Sequence, residues 1–210
     1  MPAIVSPLTT FEKTISRSIS LLDLQDAGTE LDEENDLTRS AVILAVAAFD
    51  RYFTAKYCDV LIPHLKDDKK ISDEVLKRLE DAGLNARFSL ELLASDRPFR
   101  KIRTIVQNSL SKYTTQRFEV IDDLFLAFGL NDLCECSQKK AKRKNLLTRI
   151  NKLVELRNDI AHDGHTNVRG DPKAISSADV RARVNDLKLF VENCDHIVNK
   201  RFGLVKPVSA

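Results

Sequence analysis

At 210 residues, 43% hydrophobic and 30% charged, the chain can bury a sizeable core and sits between the usual sizes of one domain and two. Six Gly, six Pro and no Trp suit long helices better than a sheet with many tight turns, and neither a βαβ pattern nor an internal repeat is present. The net charge of +2 is unevenly spread: residues 1–40 carry eight acids against three bases, and residues 137–170 nine bases against three acids. Such separation either presents one face to a polyanion or reflects ordinary solvated helix surfaces.

In chain order, Thr9-Thr10-Phe11-Glu12 fits a capping box, followed by Phe11, Ile15, Ile19 and Leu22 at helical spacing. Acidic residues 30–36 read as a surface link. A long helix is predicted from near Asp36, past Tyr57, toward Pro63. Its Ala41–Phe49 portion is apolar on nearly every face, as in a central helix contacted from several sides. That run is too short to cross a bilayer and is followed at once by Asp50 and Arg51. These two read either as structural ion-pairing residues or as residues that orient Arg157 (Asp50) and join a groove or a contact between chains (Arg51). The N-terminus lacks the basic start and apolar core of a secretory signal. Cys58, Cys134, Cys136 and Cys194 make no disulfide ladder, so a reducing, cytoplasmic setting is expected.

Val75, Leu76 and Leu79 mark a short helix, and Leu84 to Leu93 another. Ile102, Ile105, Val106, Leu110 and Tyr113 form a further stripe, and Phe118, Ile121, Leu124, Phe125 and Phe128 one more, until Gly129. A helix over 138–161 is predicted through Leu146, Ile150, Leu153 and Val154. Asp163-Gly164 and Arg169-Gly170-Asp171-Pro172 read as turn and loop. Ser176 with Asp179 suggests a cap, after which Val180, Val184, Leu187, Val191, Cys194 and Val198 make the cleanest apolar stripe. The fold class expected is all-α: a helical bundle with four main helices (near 10–25, 36–62, 138–161 and 177–201) and additional decorating helices in an inserted region about 66–136. The whole of 1–210 reads as one domain.

Arg157-Asn158-Asp159-Ile160-Ala161-His162 is the segment richest in chemistry. Counting from Ile150, the three/four spacing continues through Val154, Arg157 and Ala161. A cation on that stripe costs desolvation unless it meets an acid such as Asp50, a phosphate or an open groove, or carries its head to water on a packed stem. His162 lies about 140° around and roughly 7.5 Å along an uninterrupted helix from Arg157. The two would therefore not grasp one atom unless the helix ends before His162 or two chains pool their pairs. A histidine at a helix C-terminus also complements the dipole without any further role. The chemistry that suits the pair is phosphodiester transfer. The histidine moves a proton to or from a ribose oxygen, and the arginine stabilises charge on the nonbridging phosphate oxygens. Asn158 either positions one of them or serves as a cap.

The stretch Leu153–His162 resembles the HEPN superfamily, and Leu44–Tyr57 looks like the first long core helix of its RiboL-PSP-HEPN group. The resemblance extends over the helical core from 36 to 200. It implies a homodimeric, metal-independent endoribonuclease, requiring no cofactor, with RNA as substrate. Arg157 and His162 would be its catalytic residues and Asn158 their polar neighbour. It also implies a toxin or antiviral setting, with an antitoxin or defence-system protein as partner and no membrane. A noncatalytic helical interaction or regulatory module is the competing reading, since such domains also serve without cleavage.

Lys139, Lys140, Lys142, Arg143 and Lys144 form the densest basic cluster. At the start of the predicted helix they would oppose its macrodipole, which leaves RNA-backbone contacts or a solvated helix start as their roles. Lys101 and Arg103 are weaker candidates for the same surface. His162-Asp163-Gly164-His165 offers too few ligands for a metal, and no metal site is expected. His165 reads as a loop residue, Cys134-Glu135-Cys136 as ordinary thiols, and Cys58, Cys194, His64 and His196 as structural. A DNA-binding protein is the weakest reading, because no turn with a recognition helix is identifiable.

Overall fold

A computed structural model of the protein describes residues 5–28, 35–67, 71–111 and 115–204. Among them lie nine helices: α1 (Pro7–Asp26), α2 (Asp36–Lys66), α3 (Asp73–Asp81), α4 (Ala86–Leu93), α5 (Pro98–Leu110), α6 (Phe118–Leu126), α7 (Leu133–Ala141), α8 (Leu146–Asp163) and α9 (Ser177–Phe202). The only extended pairing among the described residues is an isolated bridge between Thr166 and Pro172, so the all-α class holds. Most of the acidic link 30–36, and Tyr113, fall outside the described residues.

Helix starts follow local capping chemistry. α1 begins three residues before the Thr9 box, because Ser6 accepts the Thr9 N–H at 3.1 Å and Pro7 occupies the first turn, where its missing N–H costs nothing. The Ser176 cap is as expected, its hydroxyl accepting the Asp179 N–H at 3.2 Å. α2 does not stop at Pro63 but carries it within the last turn, ending at Lys66. The expected helix over 138–161 is two helices. α7 closes at Ala141, Lys142 takes a left-handed conformation (φ 55°), and α8 starts at Leu146. Between Gln138 and Asn145 the sequence offers only Ala141 as an apolar anchor, so nothing there binds one continuous helix to a core.

Contacts divide the chain into two compact units, Met1–Tyr52 with Cys134–Ala210, and Phe53–Leu133. In the first, α9 packs against both α1 and α8. Its stripe Val180, Val184, Leu187, Val191, Cys194 and Val198 is buried as predicted, and so are Phe190 and two acids, Asp186 and Asp195. Phe49 meets Phe190 edge-on at 6.0 Å and Phe11 meets Tyr52 at 5.8 Å; each buried ring contributes roughly 1.5–3 kcal/mol of hydrophobic stabilisation. Buried polar groups are tied within this core. Ser18 donates to the Ala41 carbonyl at 2.7 Å, Ser137 to the Phe190 carbonyl at 2.9 Å, and Tyr52 Oη to Asp195 at 3.0 Å.

The second unit is built on Phe53, Tyr57, Phe125 and Phe128. The rings of Phe53 and Tyr57 lie 6.3 and 6.4 Å from that of Phe125, and Tyr57 lies 5.1 Å from Phe128. His64 packs edge-on against Phe128 at 5.5 Å, the structural role expected of it. Arg78 pairs with Asp123 and Arg103 with Asp59, each at 2.7 Å, so Arg103 already has a carboxylate. Cys58 is buried, and that burial pushes its thiol up to about 12, far from a reactive thiolate.

Candidate functional site

α8 holds the central segment. Leu146, Ile150, Leu153 and Val154 are buried and fix the helix against α9. Its approach is fastened by charge: Arg143 and Arg149 bind the two carboxylate oxygens of Asp186, and the Leu147 N–H donates to Gln138 Oε1 at 3.2 Å. Asp186 was not singled out from sequence. Its place in the α9 stripe, between Val184 and Leu187, was the available signal.

This arrangement redistributes the basic cluster. Lys139 and Lys140 lie in the last turn of α7, where cations complement the helix dipole instead of opposing it, and Lys139 pairs with Glu135 at 2.8 Å. Arg143 is engaged by Asp186. Lys142 and Lys144 are exposed in the link between the helices.

Beyond Val154 the apolar stripe leaves the core. Arg157 is half-buried and Ala161 exposed. Among the described residues the guanidinium of Arg157 makes one hydrogen bond, Nη1 to Asn158 Oδ1 at 3.1 Å, and its buried Nε has no partner. Of the options open to such a cation, a carboxylate partner is therefore not the one realised.

The helix does not end before His162. It runs to Asp163 and closes on Gly164 (φ 63°), whose N–H bonds the Asp159 carbonyl. The His165 N–H shares that acceptor at 3.1 Å. The early ending fails because the left-handed residues are Gly164 and His165, two and three residues beyond His162 and too late to bend it back. His162 is thus an exposed residue of the last turn, held about 140° from Arg157 around one continuous helix. Within one chain the two side chains do not converge.

His165 is a loop residue, as expected, in the turn that follows α8. It is buried, and its Nδ1 has no hydrogen-bond partner among the described residues. Arg39 donates to the Lys173 carbonyl at 2.7 Å, the Lys173 N–H donates to the His165 carbonyl at 2.9 Å, and this chain of bonds pins the loop after α8 onto α2. Burial first, then the charges of Arg39 and Lys173, hold His165 below the ordinary histidine range, against the pull of Asp159.

The face of α2 toward this end of α8 is incompletely covered. Ala41, Val42, Ala45, Val46 and Phe49 are buried, but Ile43 and Leu44 are half-buried and Ala47 is exposed, which departs from a helix contacted on all sides. A cleft of about 530 Å³ opens there, lined by Asp36, Arg39, Ser40, Ile43, Leu44 and Ile160. Ile160 is three residues from Arg157 and hence its neighbour on the helix surface. Among the described residues, no three His, Cys, Asp or Glu side chains cluster as a metal site. Nor is any helix among them long and apolar enough to cross a membrane.

The chain belongs to the RiboL-PSP-HEPN family, whose model matches residues 12–200. At the level of the family this places it with HEPN domains of the nuclease type. No curated protein and no solved structure matches it.

Proposed function

We propose that the protein is a metal-independent endoribonuclease working as a homodimer, with Arg157 and His162 of both copies pooled in one groove. The observation that carries this reading is the half-buried guanidinium of Arg157, whose single bond among the described residues is to Asn158. An unneutralised cation at low exposure is a binding element for an anion. Two features support a second copy: the separation of Arg157 from His162 around α8, and the half-covered apolar surface of Ile43, Leu44 and Ile160 beside them.

In the reaction, one His162 takes the proton from a ribose 2′-OH as that oxygen attacks the adjacent phosphorus. The other gives a proton to the departing 5′-oxygen, and Arg157 stabilises charge on the nonbridging oxygens. The products are a 2′,3′-cyclic phosphate and a 5′-OH. Asn158 orients the guanidinium through the bond it accepts, while Lys142 and Lys144 guide the backbone from the start of α8. The proposal includes a toxin or antiviral role in the cytoplasm. A partner that restrains such an enzyme has to cover the His162 end of α8.

The test is cleavage of structured and unstructured RNA in chelator by wild type, Arg157→Ala and His162→Ala proteins, with the cut ends identified. Cyclic phosphate ends from the wild type alone are expected. Binding of a protein partner that survives both substitutions, with no cleavage by any of the three, would establish the noncatalytic module instead.

A further inference from the structure

The Phe53–Leu133 unit holds a second place where cations with no acidic partner among the described residues border apolar surface. α4 and α5 pack on each other beside a cleft of about 420 Å³ lined by Phe88, Arg97, Arg100, Lys101, Thr104 and Ile105, a size suited to a small-molecule group. The α5 members recur at helical spacing and share one face. Ile102, Val106 and Leu110 form the opposite, buried face, so the cleft residues are not needed to hold the helix in place.

The charges are the informative part. Arg78, Arg87 and Arg103 of the same unit each meet a carboxylate, Asp123, Glu91 and Asp59. Arg97, Arg100 and Lys101 have no acidic partner among the described residues, although they crowd the first turn of α5, where the helix dipole opposes positive charge. Helix stability therefore does not account for them. Beside them the ring of Phe88 and the side chain of Ile105 provide a half-buried apolar floor.

We propose that this cleft binds a segment of single-stranded RNA, one base lying on Phe88 and Ile105 and the flanking phosphates on Arg97, Arg100 and Lys101. Every nucleotide of a single strand offers that combination of a flat π-face with a neighbouring negative charge, whereas an acidic peptide offers the charge alone. The choice of RNA among polyanions rests on the ribonuclease reading; the cleft rests on α4 and α5.

The probe is a fluorescein-labelled 2′-O-methyl oligouridylate, which lacks the 2′-OH nucleophile and cannot be cut by the proposed route. Its anisotropy is titrated with full-length protein over a range of salt concentrations. Arg100→Gln with Lys101→Gln is expected to weaken binding at least about tenfold and to flatten the log–log salt dependence by roughly 1.4, about 0.7 for each lost phosphate contact. Phe88→Ala is expected to weaken binding without changing that slope, and Phe88→Tyr to keep wild-type affinity; circular dichroism confirms that each variant is folded. Wild-type affinity in all the cleft variants overturns the proposal even where RNA cleavage is intact, and so does a wild type that fails to bind. Loss confined to the charge variants, or displacement by polyglutamate as effective as by unlabelled oligonucleotide, leaves only a charged patch and also overturns it. Binding lost in both kinds of variant, with no cleavage of any RNA by the wild type, upholds the cleft and removes the ribonuclease reading.

Discussion

At the start of α8, Arg143 and Arg149 close on the two oxygens of Asp186, a carboxylate with no exposed surface. Eight residues beyond Arg149, Arg157 meets only the amide of Asn158 among the described residues. The first arrangement answers a folding demand, because a buried carboxylate is tolerated only when paired and hydrogen-bonded. The second answers no such demand. The same residue type thus fastens the helix at one end and presents a charge at the other, and the difference lies in the partner supplied by α9.

The largest effect expected is on cleavage. Arg157→Ala lowers the rate by about 10²–10³-fold, the usual loss when one donor to a developing oxyanion is removed, while stability changes by less than about 1 kcal/mol. Initial rates on a fluorogenic RNA, set beside urea denaturation, measure both. A variant that loses activity only because it unfolds would put Arg157 in the same class as Arg143 and erase the contrast.

The reciprocal experiment removes the other pair. Arg143→Ala with Arg149→Ala leaves Asp186 buried and unpaired, and is expected to cost about 3–5 kcal/mol in urea denaturation. Each single substitution costs less, because one guanidinium stays on the carboxylate. A double variant within about 1 kcal/mol of wild type would show that the acid finds water or another donor, and that the two ends of α8 differ less than their geometry indicates.

Giving Arg157 a partner blurs the contrast deliberately. Ala161 is exposed and one turn beyond Arg157, so Ala161→Glu sets a carboxylate within reach of the guanidinium. Stability is expected to stay within about 0.5 kcal/mol and cleavage to fall about tenfold, equivalent to about 1.4 kcal/mol of transition-state stabilisation. Ala161→Gln separates charge from bulk: an equal loss there would rule out neutralisation as the cause.

The contrast also marks what could be read from residues alone. Apolar stripes announce themselves: that of α9 and the Leu146–Val154 part of α8 lie where spacing puts them, because burial of Ile, Leu, Val and Phe dictates which face turns inward. Ile19 of α1, Ile105 of α5 and Phe118 of α6, by contrast, are only half-buried, and Ile105 turns to the cleft instead. Breaks were harder to read. Lys142 takes a left-handed conformation that lysine does not favour, and the warning was the eight-residue stretch around it with Ala141 as its one apolar residue. Buried acids were hardest, since Asp186 looks like a solvated residue until Arg149 of α8 and Arg143 of the link before it are seen to reach it. The α8 segment stood out by residue type, and Gly164 marked the turn that follows it. That the helix continues through His162 to that turn is decided by the backbone bonds from Gly164 and His165 to Asp159, of which His165 gave no sign. The cations of α5 were half visible, Lys101 as a weak candidate and Arg97 and Arg100 not at all, because the cleft depends on how α4 lies against α5.

The two histidines at the end of α8 extend the comparison to protons. His162 is exposed, whereas His165 is buried against groups of both signs: Arg39 on α2, Lys173 in the loop and Asp159 on α8. Because its folded value lies below the ordinary 6.5, the unfolded chain binds the proton more readily than the folded one. The stabilising contribution is therefore complete above about pH 6.5 and is lost as the pH falls toward the folded value. The limit for a single proton is about 1.4 kcal/mol per pH unit, and a fraction of that is expected. His165→Asn isolates this contribution, since asparagine accepts the left-handed backbone (φ 53°) that the position requires and does not titrate. Melting temperatures measured from pH 5 to 8 should fall less steeply on acidification in His165→Asn than in wild type. Parallel curves would mean that the pH response arises elsewhere and that the bonds from Arg39 through Lys173 hold the loop whatever the charge on the imidazole.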